Sequence, residues 1–187
     1  MSTAATRQQQ LRFGRPAVVL ATAAALAGIA VAWGDHPIPA LGFGGYTLLL
    51  GLLSDIDLAQ RRLPNKIVGP LATMTVTWVA VAGLVDDDHG RIARAVLAGV
   101  IGSLALLVLS FVGQLGMGDV KLAFPIGVVA GWLGADAARV TVATTAVSGA
   151  LVAGAVLLAG RGRAQTLPYG PFLALGSVAG ILLAGLG

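Results

Sequence analysis

The chain has 187 residues, of which 57% are hydrophobic and only 11% are charged, and its net charge is +4. Soluble domains usually contain about 25% charged residues, so this composition excludes an ordinary soluble protein. The apolar residues form several long runs separated by short polar segments, which is typical of a polytopic helical membrane protein. The absence of cysteine excludes disulfides, thiolate metal sites and cysteine nucleophiles. Glutamate is also absent, so an H-E-x-x-H zinc site is excluded.

The apolar runs predict an all-α fold with about seven transmembrane helices. In chain order the predicted helices lie near 17–33, 40–54, 67–85, 93–113, 120–134, 140–160 and 170–187. The second and fifth are short for a bilayer, which takes about 20 residues to cross. We interpret residues 1–16 as a short basic tail and residues 17–187 as a single membrane domain.

Small residues recur four positions apart within the predicted helices, as in the pairs Gly127/Gly131 and Gly176/Gly180. In lipid, such pairs allow two helix backbones to approach closely. We therefore expect a tightly packed bundle in which these glycines lie at helix–helix contacts.

The basic residues are distributed unequally between the two predicted sides of the membrane. Nine of the twelve lie in the tail or in alternate loops on one side, namely Arg7, Arg12, Arg15, Arg61, Arg62, Lys66, Lys121, Arg161 and Arg163. The other side carries only Arg91, Arg94 and Arg139. Because basic loops stay in the cytoplasm, this pattern predicts a cytoplasmic N-terminus. It also accounts for the positive net charge without a nucleic-acid partner.

Three aspartates are predicted to lie near the cytoplasmic boundary of the membrane. Asp55 and Asp57 follow the apolar part of the second helix, and Asp119 precedes the apolar part of the fifth. The 62 residues from Asp57 to Asp119 leave room for two spans with their turns, so the chain returns to the same side. Ionisable groups at the end of a membrane helix are functional candidates. We therefore expect these acids to meet at one end of the bundle.

Two adjacent carboxylates support a specific hydrolytic chemistry. Like charges about 3 Å apart cannot both ionise, so such a pair shares one proton. The ionised carboxylate takes a proton from water, while the protonated one polarises the carbonyl that the water attacks. The only histidines, His36 and His89, are predicted in loops on the other side, which argues against a serine–histidine protease.

Other roles for the same residues stay open at this point. Asp119 is well placed to cap the fifth helix, and Asp57 can pair with Arg61 four residues later. Asp55, Asp57 and Asp119 together suit Mg²⁺, as in a phosphotransferase acting on lipid head groups. A membrane transport or assembly subunit would instead use its aspartates as a proton relay. Lys121 either extends towards lipid head groups or stabilises the charge of one aspartate.

Three motifs resemble those of the type IV prepilin leader peptidases, which are GxGD-type aspartic proteases of the bacterial and archaeal membrane. The segment Asp57-Leu-Ala-Gln-Arg-Arg-Leu-Pro-Asn65 resembles the first aspartate motif of that family. Gly116-Met-Gly-Asp-Val-Lys-Leu122 matches its G-x-G-D-x-K-L motif, and Pro168-Tyr-Gly-Pro-Phe-Leu-Ala-Leu175 resembles the segment before its last helix. The resemblance covers roughly residues 40–187, and all three motifs are predicted on the cytoplasmic side.

The resemblance implies an aspartic endopeptidase, a prepilin peptidase, with Asp57 and Asp119 as its catalytic pair. Asp55 lies about 200° around the helix from Asp57. The family motif selects Asp57 by its offset to the proline, which leaves Asp55 as an accessory acid. The supporting motif residues are Pro64, Asn65, Gly116, Gly118, Lys121, Pro168, Gly170 and Pro171. The resemblance implies neither a metal nor a cofactor.

The same resemblance implies a substrate and a location. Members of the family cut the short basic leader from type IV pilin-like precursors at the cytoplasmic face, after a glycine that precedes an apolar helix. The expected partners are therefore a prepilin or pseudopilin precursor and the lipid bilayer of the bacterial inner membrane. Long members carry an N-terminal domain with paired C-x-x-C zinc motifs, which the family links to N-methylation of the pilin. Because only about 16 residues precede the first predicted helix and no cysteine is present, we expect a peptidase-only form that does not use S-adenosylmethionine.

Overall fold

The structure, a computed structural model, describes residues 2–35, 37–61, 63–112, 116–158 and 168–186. Seven α-helices account for most of these residues. They are α1 (Ser2–Ala32), α2 (Pro37–Gln60), α3 (Asn65–Val85), α4 (His89–Val112), α5 (Met117–Leu133), α6 (Ala135–Leu158) and α7 (Gly170–Leu186). The described ranges contain no strand. The predicted all-α fold with seven helices is therefore confirmed.

Four helical segments are long and apolar enough to cross a membrane. They are Ile38–Gln60, Asn65–Val85, His89–Phe111 and Ala135–Val156. Shorter apolar helices span Pro16–Ala32 and Gly170–Leu186. Large apolar side chains lie exposed along these helices, as Leu104 and Val108 do on α4, which is stable only where the surrounding solvent is lipid. The chain is a multi-pass helical membrane protein.

The largest differences from the predicted helix boundaries are in α1 and α2. α1 begins at Ser2, so the helix continues back through the segment predicted as a separate tail. α2 contains 24 residues, and the prediction of a short second helix is wrong. It begins at Pro37, where proline is favoured in the first helical turn, and it continues beyond the apolar run to Gln60. The predicted shortness of α5 is confirmed, since it has 17 residues.

The predicted small-residue contacts are present in both pairs of helices that pack most extensively. A Cβ added at Gly127 would lie 2.6 Å from the Ala98 carbonyl oxygen, and one at Gly131 would lie 2.6 Å from Ala98 Cβ. These two glycines therefore hold α5 directly against the backbone of α4. Gly176 and Gly180 of α7 likewise contact threonines of α6 so closely that a Cβ would overlap them.

The apolar core joins α2, α3, α5 and α7. Its buried side chains include Phe43, Leu50 and Leu53 of α2, Leu71 of α3, Leu122 and Ile126 of α5, and Leu173 and Ile181 of α7. Inside this core the Tyr46 hydroxyl and the Ser177 hydroxyl form a hydrogen bond of 2.9 Å that links α2 to α7. The core therefore fixes α2, α5 and α7 relative to one another, and these three helices carry the polar residues described next.

Candidate active site

Asp57 and Asp119 lie together at the end of the bundle where α2 ends and where α3, α5 and α7 begin, here named the aspartate end. Asp57 is in the last turn of α2 and is 5% exposed, whereas Asp119 is in the first turn of α5 and is 7% exposed. The charge of Asp57 acts on Asp119, so the two carboxylates lie within electrostatic range of each other. The predicted meeting of these two acids is therefore confirmed. It arises because α3 and α4 cross the bundle between them and return the chain to the same end.

The Asp57 carboxylate is held by the backbone of a residue 113 positions away. The Gly170 N–H donates to Asp57 Oδ2 at 3.0 Å, and this bond is buried. A Cβ added at position 170 would lie 2.8 Å from the same oxygen, so only glycine allows this close approach. The exposed Arg61 guanidinium also acts electrostatically on Asp57. Its backbone N–H donates to the Asp57 carbonyl oxygen at 2.7 Å, and its φ of 52° ends α2 directly after the last turn.

Asp119 is not the N-cap residue of its helix, but its carboxylate accepts a hydrogen bond from the backbone N–H of that residue, Gly116. The N-cap of α5 is Gly116, and no side-chain capping bond is formed there, so the alternative of Asp119 as a cap is wrong. Asp119 Oδ1 is buried and has no hydrogen-bond partner among the described residues. Asp119 Oδ2 lies against Gly116, where an added Cβ would be 3.3 Å from it. The carboxylate thus sits in the first turn of α5, with one oxygen against Gly116 and the other without a partner among the described residues.

The turn between α2 and α3 packs onto the start of α5. A Cβ added at Gly118 would lie 2.8 Å from Leu63 Cβ. Lys121 Nζ donates to Asn65 Oδ1 at 3.0 Å. Pro64 lies between these contacts as the N-cap residue of α3, with extended backbone angles. The predicted supporting residues Pro64, Asn65, Gly118 and Lys121 are therefore assembled in one place, and the hydrogen-bond partner of Lys121 is an amide rather than an aspartate.

The third motif forms the entry to α7. Pro168 and Tyr169 precede the helix, and Gly170 and Pro171 are its first residues. The half-buried Tyr169 is a residue that the sequence argument did not select. Burial and, to a smaller extent, the charge of Asp119 raise the pKa of the Tyr169 hydroxyl, so this side chain lies within electrostatic range of Asp119. Its position inside a recognised motif was the one signal in the sequence that pointed to it.

Asp55 does not join the pair. It is half-buried on α2, and a separation of two residues turns it about 200° around the helix from Asp57. Among the described residues no group of three or more His, Cys, Asp or Glu side chains is arranged so that it could hold a metal ion. The predicted loop residues His36, Arg62, Arg161 and Arg163 lie outside the described residues.

The assembly of these two buried aspartates with the three motif segments agrees with a comparison against known families. The model of the type IV leader peptidase family matches residues 44–185. The chain belongs to this family. The match contains Asp57, Asp119 and the entry to α7.

Individual relatives agree with the family assignment. The chain is 31% identical over 172 residues to a protein named prepilin leader peptidase/N-methyltransferase from Burkholderia pseudomallei, which covers 88% of this chain and 53% of that protein. A protein of the same name from Xanthomonas campestris pv. campestris is 31% identical over 144 residues, with 72% of this chain and 47% of the relative covered. One from Pectobacterium carotovorum is 28% identical over 163 residues, with 79% and 54% covered. The chain thus spans about half the length of the curated relatives it matches. No solved structure matches the chain.

Proposed function

We propose that the chain is a membrane aspartic endopeptidase that removes the leader peptide from type IV prepilin-like precursors. The observation that carries this proposal is the burial of Asp57 and Asp119 at one end of the bundle, within electrostatic range of each other, in a chain of the type IV leader peptidase family. Two carboxylates so arranged hydrolyse an amide by activating water, without a metal or a covalent intermediate.

The two aspartates take different roles in this proposal. The Gly170 N–H donates to Asp57 Oδ2 at 3.0 Å, and a backbone donor of this kind stabilises a carboxylate anion. The backbone of Gly116 acts on Asp119 in the same way, but among the described residues the cation Arg61 acts on Asp57 alone. We therefore take Asp57 as the ionised member, which removes a proton from the attacking water. Asp119 Oδ1 has no partner among the described residues, so this oxygen is free to carry the proton that is given to the substrate carbonyl.

The proposed reaction is a hydrolysis that balances without a further reactant. Water adds its oxygen to the scissile carbonyl carbon, its proton passes to Asp57, and the proton on Asp119 passes to the carbonyl oxygen. The tetrahedral adduct then collapses, the C–N bond breaks, and the proton held by Asp57 passes to the leaving nitrogen. The products are a leader peptide with a new carboxyl end and a shortened precursor with a new amino end, and Asp119 regains its proton from the adduct.

The location of the site follows from the distribution of charge. Lys66 and Lys121, together with Arg61, belong to the basic group of loops and lie at the aspartate end of the bundle. By the positive-inside rule this end faces the cytoplasm. We therefore place the reaction at the cytoplasmic face of the bacterial inner membrane, where the apolar helix of a prepilin or pseudopilin precursor lies beside the bundle and its leader reaches the aspartates.

The Mg²⁺-dependent phosphotransferase is the less favoured function. It requires Asp55 to join the other two acids as a third oxygen ligand, whereas Asp55 projects from a different side of α2. An aspartate proton relay in a transport or assembly subunit is not favoured by any contact among the described residues.

The proposal is tested with the purified chain, a prepilin precursor and H₂¹⁸O. We expect the precursor to be cut and one ¹⁸O atom to enter the new carboxyl end of the leader, as measured by mass spectrometry. The reaction should continue in EDTA. Cutting that stops in EDTA and returns with Mg²⁺ would favour the metal-dependent alternative, and the absence of cutting with several precursors would reject the proposal.

A further inference from the structure

The turn between α2 and α3 is the shortest covalent route from Asp57 to another helix of the site. α2 ends at Gln60, and α3 begins at Asn65. Arg61 adopts a φ of 52° directly after the helix, and Pro64 has the fixed φ of proline. Because only four residues separate the two helices, Leu63 and Asn65 lie close to the end of α2, and the groups that they contact are connected to Asp57 by a short stretch of chain.

This turn touches the start of α5 on both sides of Asp119. Leu63 packs on Gly118, with 2.8 Å between Leu63 Cβ and an added Cβ at that glycine. Asn65 Oδ1 accepts a hydrogen bond of 3.0 Å from Lys121 Nζ. We name these four residues, Leu63, Asn65, Gly118 and Lys121, the clasp. The clasp joins the chain shortly after one aspartate to the chain on either side of the other.

Lys121 and Asp119 lie on different sides of α5. Residues two positions apart on a helix point about 200° away from each other, so Lys121 points away from the side of α5 that presents Asp119. Its side chain is exposed, and its ammonium is used by Asn65. The charged groups that act on the two aspartates are Arg61 on Asp57 and Asp57 on Asp119.

We propose that Lys121 and Asn65 are positioning residues, whose hydrogen bond closes the clasp and sets the separation of Asp57 and Asp119. The expected effect on turnover rests on the proposed peptidase function. The expected effect on the distance between α2 and α5 does not depend on that function. Loss of a single hydrogen bond of this kind should change the ratio of the closed to the open arrangement by about threefold to tenfold.

The position is measured by nitroxide labels on Leu58→Cys in α2 and Met117→Cys in α5. Both side chains are exposed, and the absence of native cysteine leaves these as the only labelled sites. Double electron–electron resonance should give a narrow distance distribution in this background. We expect Lys121→Met and Asn65→Ala each to broaden it, and the two together to broaden it no further. Asn65→Asp keeps an acceptor for the ammonium and should leave the distribution narrow.

The matched control is Lys66→Met, which removes the same charge from an exposed lysine one residue beyond Asn65. It should leave both the distance distribution and the turnover of precursor unchanged. In the peptidase assay, Lys121→Met and Asn65→Ala should each lower kcat by about threefold to tenfold with little change in KM, and the double variant should resemble the single ones.

Two results would contradict the proposal that the clasp sets the separation of Asp57 and Asp119. One is a loss of turnover in Lys121→Met with an unaltered distance distribution and a shifted pH profile, which would mean that the lysine acts on the charge of the aspartates. The other is an Asn65→Ala variant that behaves like the starting chain in the distance measurement. If the starting chain cuts no precursor at all, the proposed function fails while the distance measurement still decides whether the clasp exists.

Discussion

Two motif glycines are explained by contacts between parts of the chain that are far apart in sequence. Because Gly118 has no side chain, Leu63 can pack directly on α5. Because Gly170 has none, the Asp57 carboxylate can lie beside the first turn of α7. In both cases an added Cβ would lie 2.8 Å from the other group, Leu63 Cβ at Gly118 and Asp57 Oδ2 at Gly170, so that group would have to move. At these positions glycine is required by the approach of another group rather than by a special backbone angle.

Gly170→Ala should therefore reduce precursor cutting by about a hundredfold, because a displacement of about 1 Å at a reacting group has an effect of that size. The added methyl would displace Asp57 Oδ2 from the Gly170 N–H without removing either group. Steady-state kinetics of the purified variants measure the change. Gly69→Ala is the matched control, since nothing lies within 4 Å of a Cβ there. Equal activity of the two variants would show that the Gly170 contact does not position the carboxylate.

At the scale of helices, α4 and α5 form a hairpin that is closed at its far end by two arginines. Arg91 Nε donates to the Trp132 carbonyl oxygen at 3.0 Å, and its guanidinium lies 4.0 Å above the Trp132 ring. Arg94 Nε donates to the Gly131 carbonyl oxygen at 3.1 Å. These cations satisfy carbonyl groups at the C-terminal, negative end of α5. Two of the three basic residues on the less basic side of the bundle thus have a structural role. This role explains why they occur on the side where the positive-inside rule expects few basic residues.

Close backbone contact along this hairpin should dominate its stability. Gly127→Ala places a methyl 2.6 Å from the Ala98 carbonyl oxygen and 2.7 Å from Gly99 Cα, which are both backbone atoms. We expect the free energy of unfolding to fall by about 1–3 kcal/mol from overpacking. The measurement is reversible unfolding in detergent, or the thermal midpoint where unfolding is irreversible.

The control for this change is Gly154→Ala in α6, where nothing lies within 4 Å of the added Cβ. It should be neutral or stabilising by up to about 1 kcal/mol, because alanine is the better helix former. Similar destabilisation by both substitutions would contradict the assignment of Gly127 to a backbone contact.

At the scale of the whole molecule, the aspartate end should face the cytoplasm. Leu58→Cys and Met117→Cys should resist a membrane-impermeant maleimide in intact cells and react after lysis, whereas Asp87→Cys in the turn before α4 should react in both. All three side chains are exposed. Labelling of residue 58 or 117 in intact cells would reverse the orientation and move the proposed reaction to the other face.

The sequence predicted the helices better than it predicted their ends and contacts. The apolar runs gave seven helices in the right order, because lipid exposure makes each span apolar on most of its surface. They missed the end of α2, since its last turn carries Asp57 and polar neighbours and is stabilised by tertiary contacts that no local pattern records. The bond from Gly170 to Asp57 crosses 113 residues, and the bond from Lys121 to Asn65 crosses 56. One sequence without aligned relatives contains no signal for such pairs, although the motifs marked the residues involved.

The most direct test of the account is co-expression of the chain with a prepilin precursor, read as the shift of the precursor on a gel. Asp57→Asn and Asp119→Asn keep the shape of each side chain and remove its titrating proton, so each should leave the precursor uncut while the protein accumulates normally. Asp55→Asn is the matched control in the same segment and should retain most of the activity. Continued cutting by either Asp57→Asn or Asp119→Asn, or a dead Asp55→Asn beside an active Asp57→Asn, would contradict the assignment of the aspartate pair.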